Sequence, residues 1–141
     1  MLKGIDPLLS GELLKHLDQM GHGESLALVD RNFPAFGVGV PVVELGEVSV
    51  QRVTKALMSV FPLDQFTEYP VARMGIDGDL NGQNDAHRAV LGEITEVELK
   101  SIDWKVIPRA DFYSEVKEVR LVIRCLDNSP FACFIFQKGV I

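Results

Sequence analysis

Cysteine, histidine and basic charge are all scarce in this chain, and each scarcity removes a class of function. The 141 residues hold two cysteines, one tryptophan and three histidines. Cys125 and Cys133 lie in apolar, strand-like runs and lack C-x-x-C spacing, so two free, buried thiols are expected rather than a disulfide framework. His16, His22 and His87 show no ligand spacing, and no metal site is expected. The glycines at 37, 39, 75, 78 and 82 form neither a dinucleotide fingerprint nor a phosphate loop. No serine or cysteine occupies a nucleophile elbow, which leaves covalent catalysis without support. Lysine and arginine number 14 against 20 acidic residues, a net charge of -6, and the arginines are scattered. A nucleic-acid partner is therefore not expected. No apolar run approaches ~18 residues and the N-terminus lacks the apolar core of a signal peptide, so no membrane role and a cytoplasmic location are expected.

What remains is globular: 47% hydrophobic residues over a length that suits one domain, residues 1–141. Ser10 caps a helix with Leu13, Leu14, Leu17 and Met20 on one face. Leu26 to Val29 reads as a strand covered on both sides, and Val42, Val43 and Leu45 as another. Ser49 opens a helix that Pro62 stops, and Tyr69 to Ile76 is strand-like. A turn at Gly78–Asn84 leads into a helix from about Asp85 to Leu99, weakened at Gly92. A strand at Ile102–Ile107 precedes Pro108 and a short helix, with Phe112 and Tyr113 expected in the core. Leu121–Ile123 is the next strand, and Phe131–Phe136 is expected to return beside it as a hairpin after the turn at Asp127–Pro130. Helices and strands interleave throughout, which predicts a single α/β sandwich with a mixed sheet. Phe134, Ile135 and Phe136 on an edge would invite aggregation, so an oligomer interface is expected to cover part of that surface.

The densest chemistry lies between Gly21 and Pro34. His22 sits between two glycines after the first helix, and the following strand exits on Asp30, Arg31 and Asn32, the position at which α/β sheets commonly bind ligands. A histidine at a helix end also has a plainer use, satisfying nearby carbonyls. A strand of about seven residues spans ~20 Å, so His22 and Asp30 at its two ends meet only if the entry loop folds back or a second subunit supplies one of them. Arg109, beside Asp111, Phe112 and Tyr113, is the second cluster, a fork-shaped donor suited to vicinal hydroxyls. Asp64, in Phe61-Pro62-Leu63-Asp64, reads as a turn or cap residue with no chemistry assigned.

Taken in order, Met1 to Ser10, Glu12-Leu13-Leu14-Lys15, Met20-Gly21-His22-Gly23-Glu24, Asp30 to Pro34, Phe61 to Asp64, Arg109 to Tyr113 and Lys138-Gly139-Val140 resemble the L-fucose mutarotase and D-ribose pyranase family, nearer its fucose branch. The resemblance implies a three-layer α/β/α domain in closed rings, often decamers, with monosaccharide sites at subunit contacts and no cofactor. It implies that His22 is the proton donor and that Asp30 and Arg109 bind sugar. One block departs: where the family has Tyr-Gly-Asn, this chain has Phe131-Ala132-Cys133, which removes a phenol and an amide and leaves backbone groups at 131–133 to contact ligand. The implied activity is anomer interconversion of a fucose-like aldose. Such ring opening needs one acid and one base, and an imidazole with an ordinary pKa near ~6.5 suits the acid. Asp30 either orients His22 or binds a sugar hydroxyl, and Asp30 or a water is the base. The altered block also motivates a sugar-binding or regulatory protein without turnover, or an isomerase for a sugar with a more apolar substituent.

Overall fold

The computed structural model describes residues 1–141. Its elements, in chain order, are α1 (Gly11–Gln19), β1 (Ser25–Val29), a single 3-10 turn at Ala35–Gly37, β2 (Val42–Glu44), α2 (Val50–Met58), β3 (Val71–Met74), α3 (Asp85–Glu98), β4 (Lys105–Ile107), α4 (Arg109–Val116), β5 (Leu121–Arg124) and β6 (Phe134–Gln137). Local chemistry explains their starts. Ser10 accepts from the Leu13 amide and Ser49 from the Arg52 amide, as N-cap hydroxyls do. Pro108 precedes α4, and α3 runs through Gly92 without a break. No helix is long and apolar enough to cross a membrane.

The six strands form one sheet in the order β2-β5-β1-β6-β3-β4. All pairings are parallel except those of β6, which runs antiparallel to both β1 and β3. The sheet is therefore mixed, but not through the expected hairpin. β5 pairs with β1 and β2, while β6 passes over β1 to fill the slot beside β3. Phe134, Ile135 and Phe136 are interior rather than on an edge, so the aggregation argument for an interface at that strand falls away.

Strand alternation divides the core into two faces. Leu26, Leu28, Leu121, Ile123, Phe134 and Phe136 point to the face covered by α1, α2 and α3. Ala27, Val29, Val122, Ile135, Ala72 and Met74 point to the other, covered by α4 with Phe33 and Ala35. That is a three-layer α/β/α domain, thick on one side and thin on the other. The thin side leaves room at one end of the strands.

Candidate functional site

A cavity of about 170 Å³ opens at that end, lined by Asp30, Asn32, Phe33, Met74, Arg109, Tyr113, Pro130, Phe131 and Cys133. β1, β3 and β4 all run toward it and β6 starts from it: Asp30 follows β1, Met74 ends β3, Arg109 opens α4 two residues after β4, and Cys133 precedes β6. This is the strand-exit position that the Asp30 segment predicts. Asp30 is 5% exposed, and its Oδ1 accepts from the Asn32 and Phe33 amides at 2.9 and 3.1 Å. The Cys133 thiol donates to Asp30 Oδ2 at 3.5 Å. Burial raises the Asp30 carboxyl above its ordinary value against the lowering effect of these donors, and burial together with the adjoining carboxylate pushes the Cys133 thiol far up. Cys133 is thus a neutral donor rather than a nucleophile.

Arg109 Nε donates to Asp77 Oδ2 at 2.9 Å, and the Tyr113 side chain and Asp77 both favour its charged form. Phe112 is fully buried as expected, but Tyr113 is only half-buried and stands edge-on to Phe33 in the cavity wall. Ala132 is buried in the opposite core and does not line the cavity. Both cysteines are free, yet only Cys125 is purely structural.

His22 is elsewhere. Its Nε2 lies 3.2 Å from Asp64 Oδ1, with the Phe66 ring edge-on at 5.6 Å. Asp64 is almost completely buried and also accepts from the Phe66 amide at 2.9 Å and from Gln137 Nε2 at 3.1 Å. The Phe66 amide first, then His22 and Gln137, hold its carboxyl below the usual value, so it is an ionised acceptor. An ionised carboxylate can only accept, which places a proton on His22 Nε2 and leaves Nδ1 as the unengaged nitrogen of a half-exposed ring.

This corner lies at the opposite end of the sheet. The Gly23 amide bonds the Lys138 carbonyl beyond the end of β6, and Leu63 bridges Lys138, whereas Asp30 and Cys133 flank the start of β6. Five or so residues of strand, at ~3.3 Å each, put roughly 15 Å between the two groups. Within one chain, His22 therefore does not join Asp30 and Arg109.

Residues 3–141 match the RbsD / FucU transport protein family. The chain belongs to that family. It is 33% identical to an L-fucose mutarotase of Actinobacillus pleuropneumoniae serotype 5b over 99% of this chain and 97% of that protein. Crystal structures of FucU from Bifidobacterium longum (34% identity, TM-score 0.91) and of the Streptococcus pneumoniae fucose mutarotase in complex with L-fucose (25% identity, TM-score 0.82) each cover 99% of both chains. Membership in the RbsD / FucU family thus rests on nearly the whole chain. Within this member, Asp64 is the functional candidate that the sequence reading passed over. Its signal was its position one residue after Pro62-Leu63, but its partner is 42 residues away.

Proposed function

We propose that the protein is a monosaccharide mutarotase for L-fucose or a related aldose, working by general acid–base ring opening without a cofactor. The observation that carries this reading is the strand-exit cavity. It gathers Asp30, Arg109, Phe131 and Cys133 in a chain similar end to end to a protein named L-fucose mutarotase. A soluble sugar offers vicinal hydroxyls to Arg109 and Asp30 and a C–H face to Phe33, Tyr113 and Phe131.

The acid is His22 of a neighbouring subunit, because roughly 15 Å of strand keeps a chain's own His22 from its own cavity. A ring of identical subunits supplies the pairing: the half-exposed His22 and the exposed Phe66 of one copy cover the open cavity of the next. Protonated at Nδ1, His22 delivers a proton to the ring oxygen while a base takes the anomeric hydroxyl proton. The bond between the anomeric carbon and the ring oxygen breaks, giving the open aldehyde. Rotation of the aldehyde and closure on its other face returns both protons. Asp30, made more basic by burial, or a water it holds, serves as that base.

One observation favours a second reading, a monosaccharide-binding or regulatory protein without turnover. The Cys133 thiol already occupies Asp30 Oδ2, and Phe131 offers no hydroxyl, so fewer polar groups remain to take the anomeric proton. Magnetisation-exchange NMR between anomers of a monosaccharide panel decides between the two, run with wild type and His22→Ala. Acceleration by wild type alone supports the mutarotase. Binding without acceleration across the panel assigns the binding protein.

A further inference from the structure

The wall of the cavity at Pro130–Cys133 has an unusual backbone. Phe131 has φ +57°, a left-handed conformation that a residue with a Cβ rarely adopts, and no glycine stands there to relieve it. Two side chains from the start of α3 grip this segment from behind. Asn84 Nδ2 donates to the Pro130 carbonyl at 2.7 Å, and His87 Nε2 lies 2.9 Å from the Phe131 carbonyl. The same two residues form a reciprocal cap on α3: Asn84 Oδ1 accepts from the His87 amide at 2.9 Å, and His87 Nδ1 accepts from the Asn84 amide at 3.3 Å.

The cap determines the direction of the second contact. Because Nδ1 accepts the Asn84 N–H, the ring proton is on Nε2 and is donated to the Phe131 carbonyl. The ring has no freedom to turn away. His87 is fully buried, edge-on to Trp104 at 6.3 Å and to Phe134 at 5.9 Å. Behind Trp104 sits Arg73, also buried, its guanidinium 5.4 Å above the indole, with Nε lacking any hydrogen-bond partner. Its other nitrogens reach the Met74 and Leu80 carbonyls, so a cation rather than a carboxylate backs the histidine.

We propose that the Asn84–His87 cap of α3 is a clamp that sets the left-handed wall at Pro130–Phe131, which makes His87 and Asn84 positioning residues for the sugar cavity. Phe131 and Cys133 line the cavity, and the Cys133 thiol holds Asp30, so a wall released from α3 shifts both an apolar contact and the thiol donor on the carboxylate. Neither clamp residue touches the cavity. As to ligand, the proposal rests on the sugar reading of that cavity.

The test uses three variants of the full chain. His87→Leu removes the donor, His87→Gln retains one, and Asn84→Asp keeps the N-cap acceptor while losing the Nδ2 donation to Pro130. The amide resonances of residues 131–133 are followed in the absence of sugar, and kcat and KM with L-fucose are measured separately by magnetisation exchange. His87→Leu and Asn84→Asp are expected to move those resonances and raise KM by about tenfold, the effect of one lost hydrogen bond to a positioned group, with kcat held within about threefold. His87→Gln is expected to restore most of the KM. Asn84→Asp keeps the cap, so its folded state remains available if His87→Leu fails to fold. Unmoved resonances at 131–133 in a folded Asn84→Asp variant, or a KM within twofold of wild type, overturn the clamp. If wild type turns over no sugar, the mutarotase reading fails while the resonances still decide the clamp.

Discussion

At the residue scale, Asp64 carries more than its sequence context suggests. It has three donors, the Phe66 amide, Gln137 and His22, and only the last leads toward solvent. The first two fix the carboxylate; the third then fixes the imidazole. Asp64→Asn keeps the size and the Phe66 contact but replaces an obligate acceptor with a group that can also donate, so His22 loses its enforced tautomer. General acid–base groups contribute roughly 10²- to 10⁴-fold, and Asp64→Asn is expected to forfeit a substantial part of that in kcat with KM little changed. Separate kcat and KM from anomer exchange check this; a KM effect alone would show that Asp64 supports binding instead. Asp64 was hard to read because Pro62-Leu63-Asp64 is ordinary turn chemistry, and its partners come from residues 22 and 137. Tyr113 illustrates the converse. Beside the core residue Phe112 it looks like more core, but the turn of about 100° between adjacent helical residues aims it at the cavity instead.

At the element scale, local pattern was legible wherever a strand's two faces differ or a cap is explicit. Leu26 to Val29 is continuously apolar because β1 is covered on both faces, and Ser10 and Ser49 are caps in fact as in sequence. β6 was misplaced because adjacency in sequence favours a hairpin, whereas its partners are β1, more than a hundred residues earlier, and β3. Only long-range pairing reveals that Phe131–Cys133 flanks Asp30. The start of α3 is a further case: His87 looks like a polar residue on a helix start, yet it is buried and neutral. Burial, above all, lowers its pKa, with Arg73 on β3 and Arg88 on α3 acting in the same direction and the Phe131 carbonyl opposing them. The folded pKa lies below the unfolded value near 6.5, so the stability this cap supplies is complete above about 6.5 and is lost as pH falls toward the folded value. For one proton the loss cannot exceed about 1.4 kcal/mol per pH unit, and it ends once the pH has passed below the folded value. Urea midpoints at pH 7.5 and 5.5 are expected to fall in wild type more than in His87→Gln, which carries no titrating ring. Equal drops in the two proteins would place the acid sensitivity elsewhere.

At the scale of the whole molecule, the decisive quantity is the length of β1 and β6. His22 with Asp64 stands at one end of these strands, and Asp30 with Cys133 at the other. On the mutarotase reading proposed above, a single chain holds both halves of an acid–base site but cannot use them together, and a closed ring of identical copies would join them without any new sequence. The consequence is complementation. His22→Ala lacks the proposed acid but keeps the cavity; Arg109→Ala loses the cavity's fork-shaped donor but keeps the proposed acid. Each alone is expected to be nearly inactive. If every site takes its histidine from one subunit and its cavity from the next, co-expression in equal amounts and random assembly restores about a quarter of the sites. Anomer-exchange rates for the purified mixture, set against the two single variants, measure that fraction. A mixture no more active than its components would mean that acid and cavity come from the same chain, and would require the Gly21–Glu24 corner to swing the length of the sheet.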